Sequence, residues 1–529
     1  MTQLIIDGIR IPIDSGENEA LYAAEKKLRS AGVPFEKGTL HIYKRSVDAR
    51  RKDSIHFVYS VSARSEASAE NIKSEGIRAV SCEREETVRG NEIMNGRPFV
   101  VGFGPAGMFC ALLLAENGMR PVVLERGACV DERVKKVERF YETGSLDTDT
   151  NIQFGAGGAG TFSDGKLITR IGDSRTSYVL EKLYEMGAPE DITRVAKPHI
   201  GTDILRDVVK NFACRIEELG GEIRYGAKVD GIGDGWLSVN GEKLSCGCTV
   251  LAPGHSARDT YAKLISDGWA IEAKPFSVGV RIEHLQRELD RAMYGDESLS
   301  ERLGHAEYQL SHRKGERGVY TFCMCPGGEV VAAASEEGGV VTNGMSRRKR
   351  DSGIANSAVA VSVLPEDFGG SPKGAIAFQR ALEAKAFMAG GGDFGAPCQT
   401  VGSFYDGRIG DITSKFTPTY MNGRVTPADL GRILPPFVSS MLKEGLSCFG
   451  MKIKGFSDKD VPLTGVETRT SAPLRILRDK NTMCAVGHSL VYPCGEGAGY
   501  AGGITSAAVD GMRAAEAILS RFAPSGGSD

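Results

Sequence analysis

No apolar stretch in these 529 residues approaches the ~18 consecutive apolar positions that a membrane-spanning helix needs. The opening residues, MTQLIIDGIRIPIDSGEN, carry acids early and lack a basic n-region, an apolar h-region and a small-residue cleavage site, so no secretory signal is read there. Charge of one sign is lacking too. Lys and Arg number 65 against 68 Asp and Glu, and the net charge of −3 excludes a general attraction to nucleic acid or to an acidic membrane. There is no internal repeat, and only the tail APSGGSD reads as low complexity. These absences set the expectation of a cytoplasmic protein with no membrane partner. Twelve cysteines in such a chain then read as reduced thiols. Glycine is what abounds. Its 67 copies fall in clusters without a period, which excludes collagen and points to loops where backbone is closely approached.

At about 150 residues per domain the length suggests three or four units. Residues 1–90 read as one of them. The strand-like QLIIDGIRIPI precedes a helix with Leu21, Ala24 and Leu28 on one face, ending at Gly32. Two β-rich segments follow, TLHIYKRSV and SIHFVYSVSA, then a polar helix over 65–76 and a last strand, IRAVSCE. The order β-α-β-β-α-β is that of a ferredoxin-like unit. RNA-binding domains share the order, but SIHFVYSVSA lacks their Gly-aromatic pattern. The basic run Lys44, Arg45, Arg50, Arg51, Lys52, interrupted by Asp48, reads better as a solvated turn than as an RNA contact.

Past a polar linker the pattern changes to α/β. In RPFVVGFGPAGMFCALLLAENGMRPVVLERG a short buried strand runs into Gly102, Gly104 and Gly107, spaced G-x-G-x-x-G. A helix of small and apolar residues follows, then a strand closing on Glu125. The three glycines serve, in order, a tight turn, close approach to a pyrophosphate, and helix-on-strand packing. The helix N-terminus, with Pro105 and Ala106, faces the phosphates with free N–H groups. Glu125, followed by Arg126, is placed to accept from a ribose. No second such fingerprint appears, so NAD(P)H would act only as a transient donor without a domain of its own.

A later buried strand, CTVLAPG, ends at Gly254. Near the end, VYPCGEGAGYAGGITSAAVDG gives a strand, a Gly495-Glu496 step, a turn with Gly502 and Gly503, and a helix from Ile504. This order resembles the FAD superfamily that includes p-hydroxybenzoate hydroxylase, the succinate dehydrogenase flavoprotein and the glutathione-reductase-like enzymes. There the late acid is usually Asp and binds the ribityl or pyrophosphate, so Glu496 departs from the pattern. The glycine-rich NIQFGAGGAGTFSDGKL, holding Gly157, Gly158 and Lys166, corresponds to the loop that lies against the flavin. Its N–H groups would stabilise negative charge on a reduced ring. Together with KPHIGTD, APGHSARDTY, KPFSVGVRIEH, YTFCMCPGGEVV and VETRTSAP, these stretches resemble the uncharacterised FAD-dependent dehydrogenases. The resemblance implies FAD and an N-terminal ferredoxin-like unit, and leaves the substrate undefined.

The expected fold class is α/β: a Rossmann-like FAD-binding domain over 96–275 and 481–529, an inserted α+β substrate domain over 276–480, and the N-terminal unit. Candidate catalytic residues come from four places. His255 follows a strand end and would be an acid-base group or a phosphate neighbour. Cys323 and Cys325 would share one strand face, near the substrate or packed in the core. A zinc site joining them to Cys246 and Cys248 is disfavoured by the one-residue spacing, and a redox disulfide by the absence of C-x-x-x-x-C. Arg469 would clamp a substrate carboxylate or bond loop carbonyls, with the same ambiguity for Arg281. The function expected is FAD-dependent oxidoreduction of a small organic molecule of unknown identity. A flavin-dependent RNA-modifying enzyme and a non-catalytic, sensing flavoprotein are the alternatives.

Overall fold

The computed structural model describes residues 2–67, 72, 74–80, 89–169 and 171–524 and shows a mixed α/β chain. In the N-terminal unit strand Thr2–Pro12 lies between His56–Ser65 and Ile77–Val80, and His41–Asp48 forms the outer edge. All three pairings are antiparallel. Helix Glu17–Ser30 buries Ala20, Ala24 and Leu28, one per turn, against Leu4, Ile6 and Val61. Ala20 thus holds the stripe position expected of Leu21, which is half-buried. Glu17 and Glu19 in its first turn and Lys27 and Arg29 in its last suit the helix dipole. Of the second helix expected here, over 65–76, residues 68–71 and 73 lie outside the described residues, while Ser65 ends a strand and Ser74 bridges to Ile77 through a turn. In the basic turn Asp48 pairs with Arg50, Nε to Oδ1 at 2.8 Å.

The outer strand of this unit is itself paired. Arg45 donates its N–H to the Arg194 carbonyl at 2.7 Å, and Ala196 N–H returns a bond to Arg45 at 2.8 Å. An edge that would otherwise expose free donors is covered by a loop of the next unit.

That unit holds a five-stranded parallel sheet in the order Val491–Pro493, Cys248–Leu251, Pro98–Val101, Val122–Glu125, Glu222–Tyr225. Its inner strands are buried on both faces, which is why they read as unbroken apolar runs. Helix Pro105–Glu116 buries all ten residues from Ala106 to Ala115, so it shows no polar face. Helix Ile504–Arg521 packs against it, with Gly511 resting on the Ala106 backbone. A Cβ on Gly107 would sit 1.9 Å from the Gly102 oxygen. Helix and strand therefore touch backbone to backbone. The carboxyl ends of four strands, at Gly102, Glu125, Gly254 and Gly495, open at one edge, where α/β sheets bind their ligands.

A second, seven-stranded sheet faces that edge. Its central strands, Phe276–Leu285 and Ile354–Val363, pair antiparallel over their whole length. Helix Pro436–Lys452 seals one side through Leu442, Leu446 and Phe449. Strand Arg317–Cys325 stays in register with Ile354–Val363 from Val319 to Phe322, then shifts before Cys325. This bulge reaches the cavity between the sheets.

The backbone contact at Gly107 is testable. Gly107→Ala is expected to lower stability by about 1–3 kcal/mol through overpacking. Gly104→Ala, whose nearest neighbour would be the Gly158 Cα at 3.8 Å, should leave it within about 0.5 kcal/mol. Thermal unfolding of the two apoproteins, compared side by side, checks both.

Candidate functional site

A cavity of about 940 Å³ lies between the two sheets. Glycines 102, 104, 254, 495, 502 and 503 form one wall with Pro105, Ala106, Glu125, Arg126, Glu496 and Ile504. Lys166, Glu307, Cys323, Met324 and Asn343 belong to the other. Two helix N-termini, at Pro105 and at Ile504, open onto it. Side chains on Gly502 or Gly503 would meet nothing within 4 Å, so the backbone there borders open space.

Behind the glycine-rich loop sits Arg133, fully buried on helix Val130–Thr143. Its Nε donates to Asn151 (2.9 Å), one Nη to Ile152 (2.9 Å), and the other to Gly155 (3.3 Å), Ala156 (2.7 Å) and Gly158 (3.0 Å). Its plane lies over Phe162, 4.8 Å from the ring centre. Burial pulls its pKa down to about 9, which leaves it charged at neutral pH. The loop is thus wrapped around a cation, and the glycines divide in two. Gly155 leaves room for the Arg133 side chain, where a Cβ would come within 2.5 Å. Gly157 faces Thr161 and Val209, and donates to the Phe103 carbonyl at 2.8 Å. It does not line the cavity, which corrects its expected cofactor contact. Gly158, Ala159 and Gly160 do line it.

Glu125 departs from a purely ribose-binding role. Its Oε2 accepts from Phe103 N–H at 2.8 Å, and Oε1 from Gly127 at 2.9 Å and Gly155 at 3.0 Å. It ties the first glycine turn to the glycine-rich loop and keeps one acceptor site on Oε2. Arg126 lies over Phe154, 4.3 Å from its ring centre, and forms a fork with Asp259 at 3.1 and 3.0 Å. Lys166 lines the cavity but is held by Asp164 (2.8 Å) and Glu307 (3.3 Å), which Arg350 also binds. Its charge is therefore shared with two carboxylates instead of being free for a phosphate.

The closing turn is pinned from behind. Gly495 N–H donates to Asp510 at 2.8 Å, and Arg478 grips the same carboxylate at 2.9 and 2.7 Å. The Tyr261 hydroxyl donates to the carbonyls of Gly254 (2.9 Å) and Gly497 (2.8 Å), joining the two strand ends. Burial pushes Glu496 up to about 7, with Lys274 the nearest countercharge.

Two catalytic expectations change. Arg469 bonds Glu383 through Nε (3.2 Å) and Nη2 (3.1 Å), and also Ser335. Arg258 binds Glu383 through two bonds as well, at 2.8 and 2.6 Å. These arginines hold Glu383 well below the usual carboxylate range. Arg469 lines the cavity but pairs internally, with a carboxylate where loop carbonyls were expected. Arg281 is likewise occupied, by Glu467, Asn343, Asn356 and the Cys323 carbonyl. His255 does line the cavity, but burial and the Arg469 charge push it down to about 4. It is a neutral imidazole at pH 7, not an acid.

The bulge corrects the cysteine pair. Cys323 adopts φ 43°, lines the cavity and accepts at its carbonyl a hydrogen bond from the Cys325 thiol at 3.3 Å. Cys325 is fully buried and does not line it. Hydrogen bonding to Cys325 pulls the Cys323 thiol down to about 6, with Arg281 and Lys166 adding to it, while Cys325 rises. Among the described residues no group of three or more His, Cys, Asp or Glu is placed to hold a metal.

Arg133, Tyr261, Glu383, Arg350 and Asp510 were missed by sequence reasoning. Arg133 had a signal: it shares the buried helix stripe with Val130, Val137 and Phe140. A charge on an apolar face needs a buried partner. The others become meaningful only when distant segments meet.

A family model described as "FAD-dependent protein, C-terminal domain-like" matches residues 275–470. A second, "Domain of unknown function (DUF8436)", matches 3–64. An uncharacterised protein of Clostridium beijerinckii is 45% identical over 98% of both chains. Solved structures show a distant likeness. CtdE in complex with FAD has a TM-score of 0.33 at 12% identity, covering 81% of this chain and 84% of that one. A 2-methyl-3-hydroxypyridine-5-carboxylic acid oxygenase has 0.29 at 13%, covering 80% and 82%. Likeness this distant assigns no activity. The chain belongs to the same family as the Clostridium protein, a family of FAD-dependent proteins, and its cofactor is FAD.

The residues fit that group. Open-faced glycines, two helix N-termini and the spare Glu125 acceptor suit a pyrophosphate and a ribose. Among the described residues no helix is long and apolar enough to cross a membrane.

Two outcomes are expected from this packing. Arg133→Lys keeps the charge but cannot reach five carbonyls. It should cost about 3 kcal/mol or more and release FAD, read by urea unfolding and by flavin fluorescence after gel filtration. His199, His255 and His284 are each pushed down to about 4 by burial. The unfolded chain, with histidines near 6.5, binds more protons than the folded one below that pH. The histidines' contribution to stability should therefore be complete above about pH 6.5 and be lost as the pH drops towards 4, while buried Glu283 and Glu496, pushed up to about 7, contribute in the opposite sense between about 4.5 and 7. Urea unfolding at several pH values checks this, and His284→Gln should flatten the slope.

Proposed function

We propose that the protein is an FAD-dependent oxidoreductase that passes hydride between the flavin and a small organic molecule held against the seven-stranded sheet. One observation carries this reading: a single cavity is bounded both by the dinucleotide cradle and by a wall bearing Cys323, Lys166 and Glu307. When bound, FAD supplies the hydride acceptor or donor. The chain supplies the rest. Gly102, Gly104 and Glu125 would hold the ADP half, and Gly495, Glu496 and Gly503 the ring end. Neutral His255 would accept a hydrogen bond from substrate without competing for its charge. Glu496, poised near neutrality, is the group able to take or return a proton.

We read residues 276–480 as the substrate domain, supported by the separate sheet and by the family model over 275–470. We read residues 1–90 as ferredoxin-like, supported by the sheet order and by helix Glu17–Ser30. We place the protein in the cytoplasm.

The test is anaerobic spectroscopy of the purified protein. The expected result is a yellow protein whose visible band bleaches on adding NADH or NADPH. Resistance to both nucleotides would move the electron source to the organic substrate. A flavin reduced by dithionite alone, inert to nucleotides and thiols, would overturn the catalytic reading.

A further inference from the structure

The strand Arg317–Cys325 ends in a feature that hydride transfer to a small molecule does not use. Its bulge places two thiols side by side in unlike surroundings. Cys323 has a left-handed backbone, which L residues adopt only at a cost, and the residue lines the cavity. Its carbonyl is fixed by the Arg281 guanidinium at 2.9 Å and by the Cys325 thiol at 3.3 Å. Cys325 is sealed behind it. A Cβ on Gly344 would come 3.0 Å from its sulfur, and one on Gly328 3.2 Å from its Cβ. The bond from the Cys325 thiol to that carbonyl holds the two residues side by side across the bulge.

Access favours one sulfur as the reactive member: Cys323 borders the cavity and Cys325 does not, and Arg281 and Lys166 lie close enough to act on Cys323. Cys323 is also close enough to Glu496 to act on its carboxylate. Both residues line the cavity in which the proposed function puts the flavin ring. Cys494 also lines this cavity, but burial pushes its thiol far up.

We propose that Cys323 and Cys325 form a dithiol–disulfide couple that exchanges an electron pair with the flavin. In oxidation two S–H bonds break and one S–S bond forms. Two electrons and one proton pass to the flavin as a hydride equivalent, and the second proton leaves to solvent. In the reverse direction the reduced cofactor returns the pair, and both thiols reform. Cys323 is the sulfur open to the cavity, and Cys325 is the resolving thiol behind it. The couple rests on the flavin reading above and adds storage for a second electron pair.

The test uses the FAD-loaded protein, oxidised with diamide and desalted under anaerobic conditions. Alkylation and peptide mapping should find a bridge between Cys323 and Cys325. Dithionite titration should then consume twice as much reductant per flavin as in Cys325→Ser or Cys323→Ser, with both thiols alkylatable at the end. Without diamide, Cys323 should react with iodoacetamide at pH 7 severalfold faster in the wild type than in Cys325→Ser. Two alkylated thiols after diamide would overturn the proposal, and so would a bridge that survives complete bleaching of the flavin. The bridge readout needs neither variant to fold. A protein that binds no flavin would instead overturn the proposed function, and the peptide map would still report on the thiols.

Discussion

The site depends first on one buried cation. Arg133 has no carboxylate in direct contact; its partners are five carbonyls of the loop that carries the glycines. A guanidinium with five donors in a plane can hold five oxygens at once, which an ammonium cannot. Turning these carbonyls inwards gives the loop its shape without a hydrophobic core of its own. Glu125 completes the arrangement from the other side, accepting N–H groups of Phe103, Gly127 and Gly155. Cation and anion thus grip opposite poles of the same backbone. The cofactor wall is built of main chain, positioned by two side chains eight residues apart, one closing a strand and the other on the helix that follows.

The opposite wall follows a different rule. Most of its charges are already neutralised within the protein. Glu383 takes both Arg258 and Arg469, Glu467 takes Arg281, and Asp164 and Glu307 share Lys166 and Arg350. A buried pair of this kind fixes geometry more than it adds stability, because desolvation offsets much of the attraction. Outside these pairs stand the Cys323 thiol, the Glu496 carboxyl and the neutral His255 ring. These three border one space, and none has a full ion pair to break before it can act. The committed charges hold the wall rigid, and these three groups are left to the chemistry.

Local signals made the nucleotide half legible. The glycine spacing, the apolar helix from Pro105 and the acid at Glu125 are consecutive in the chain, so one window of sequence contains the whole device. The parallel sheet could be read because both-face burial leaves unbroken apolar runs. The substrate wall gave less away. Arg469 looked free because Glu383, its partner, lies on a helix 86 residues earlier. Cys323 and Cys325 looked like neighbours on one face because alternation assumes an unbroken strand, and a bulge leaves no mark in composition. Gly157 looked like a cofactor contact because a glycine needed for packing reads the same as one needed for approach.

The N-terminal unit helps to fix the rim of the same cavity. Its outer strand has an open edge, and a loop of the flavin unit fills it through the paired bonds of Arg45 with Arg194 and Ala196. The next residues of that loop, Ala196 and Lys197, line the cavity, and His199 follows against the Arg348 carbonyl. Arg348 in turn donates to the His199 carbonyl and to Asp191. A loop with few backbone bonds of its own is held between two folded bodies by bonds at each end. The position of the cavity rim is therefore set jointly by the first strands of the chain and by a segment some three hundred residues later. That rim brings Lys197 to 3.5 Å from Glu307, a carboxylate that Lys166 and Arg350 also hold.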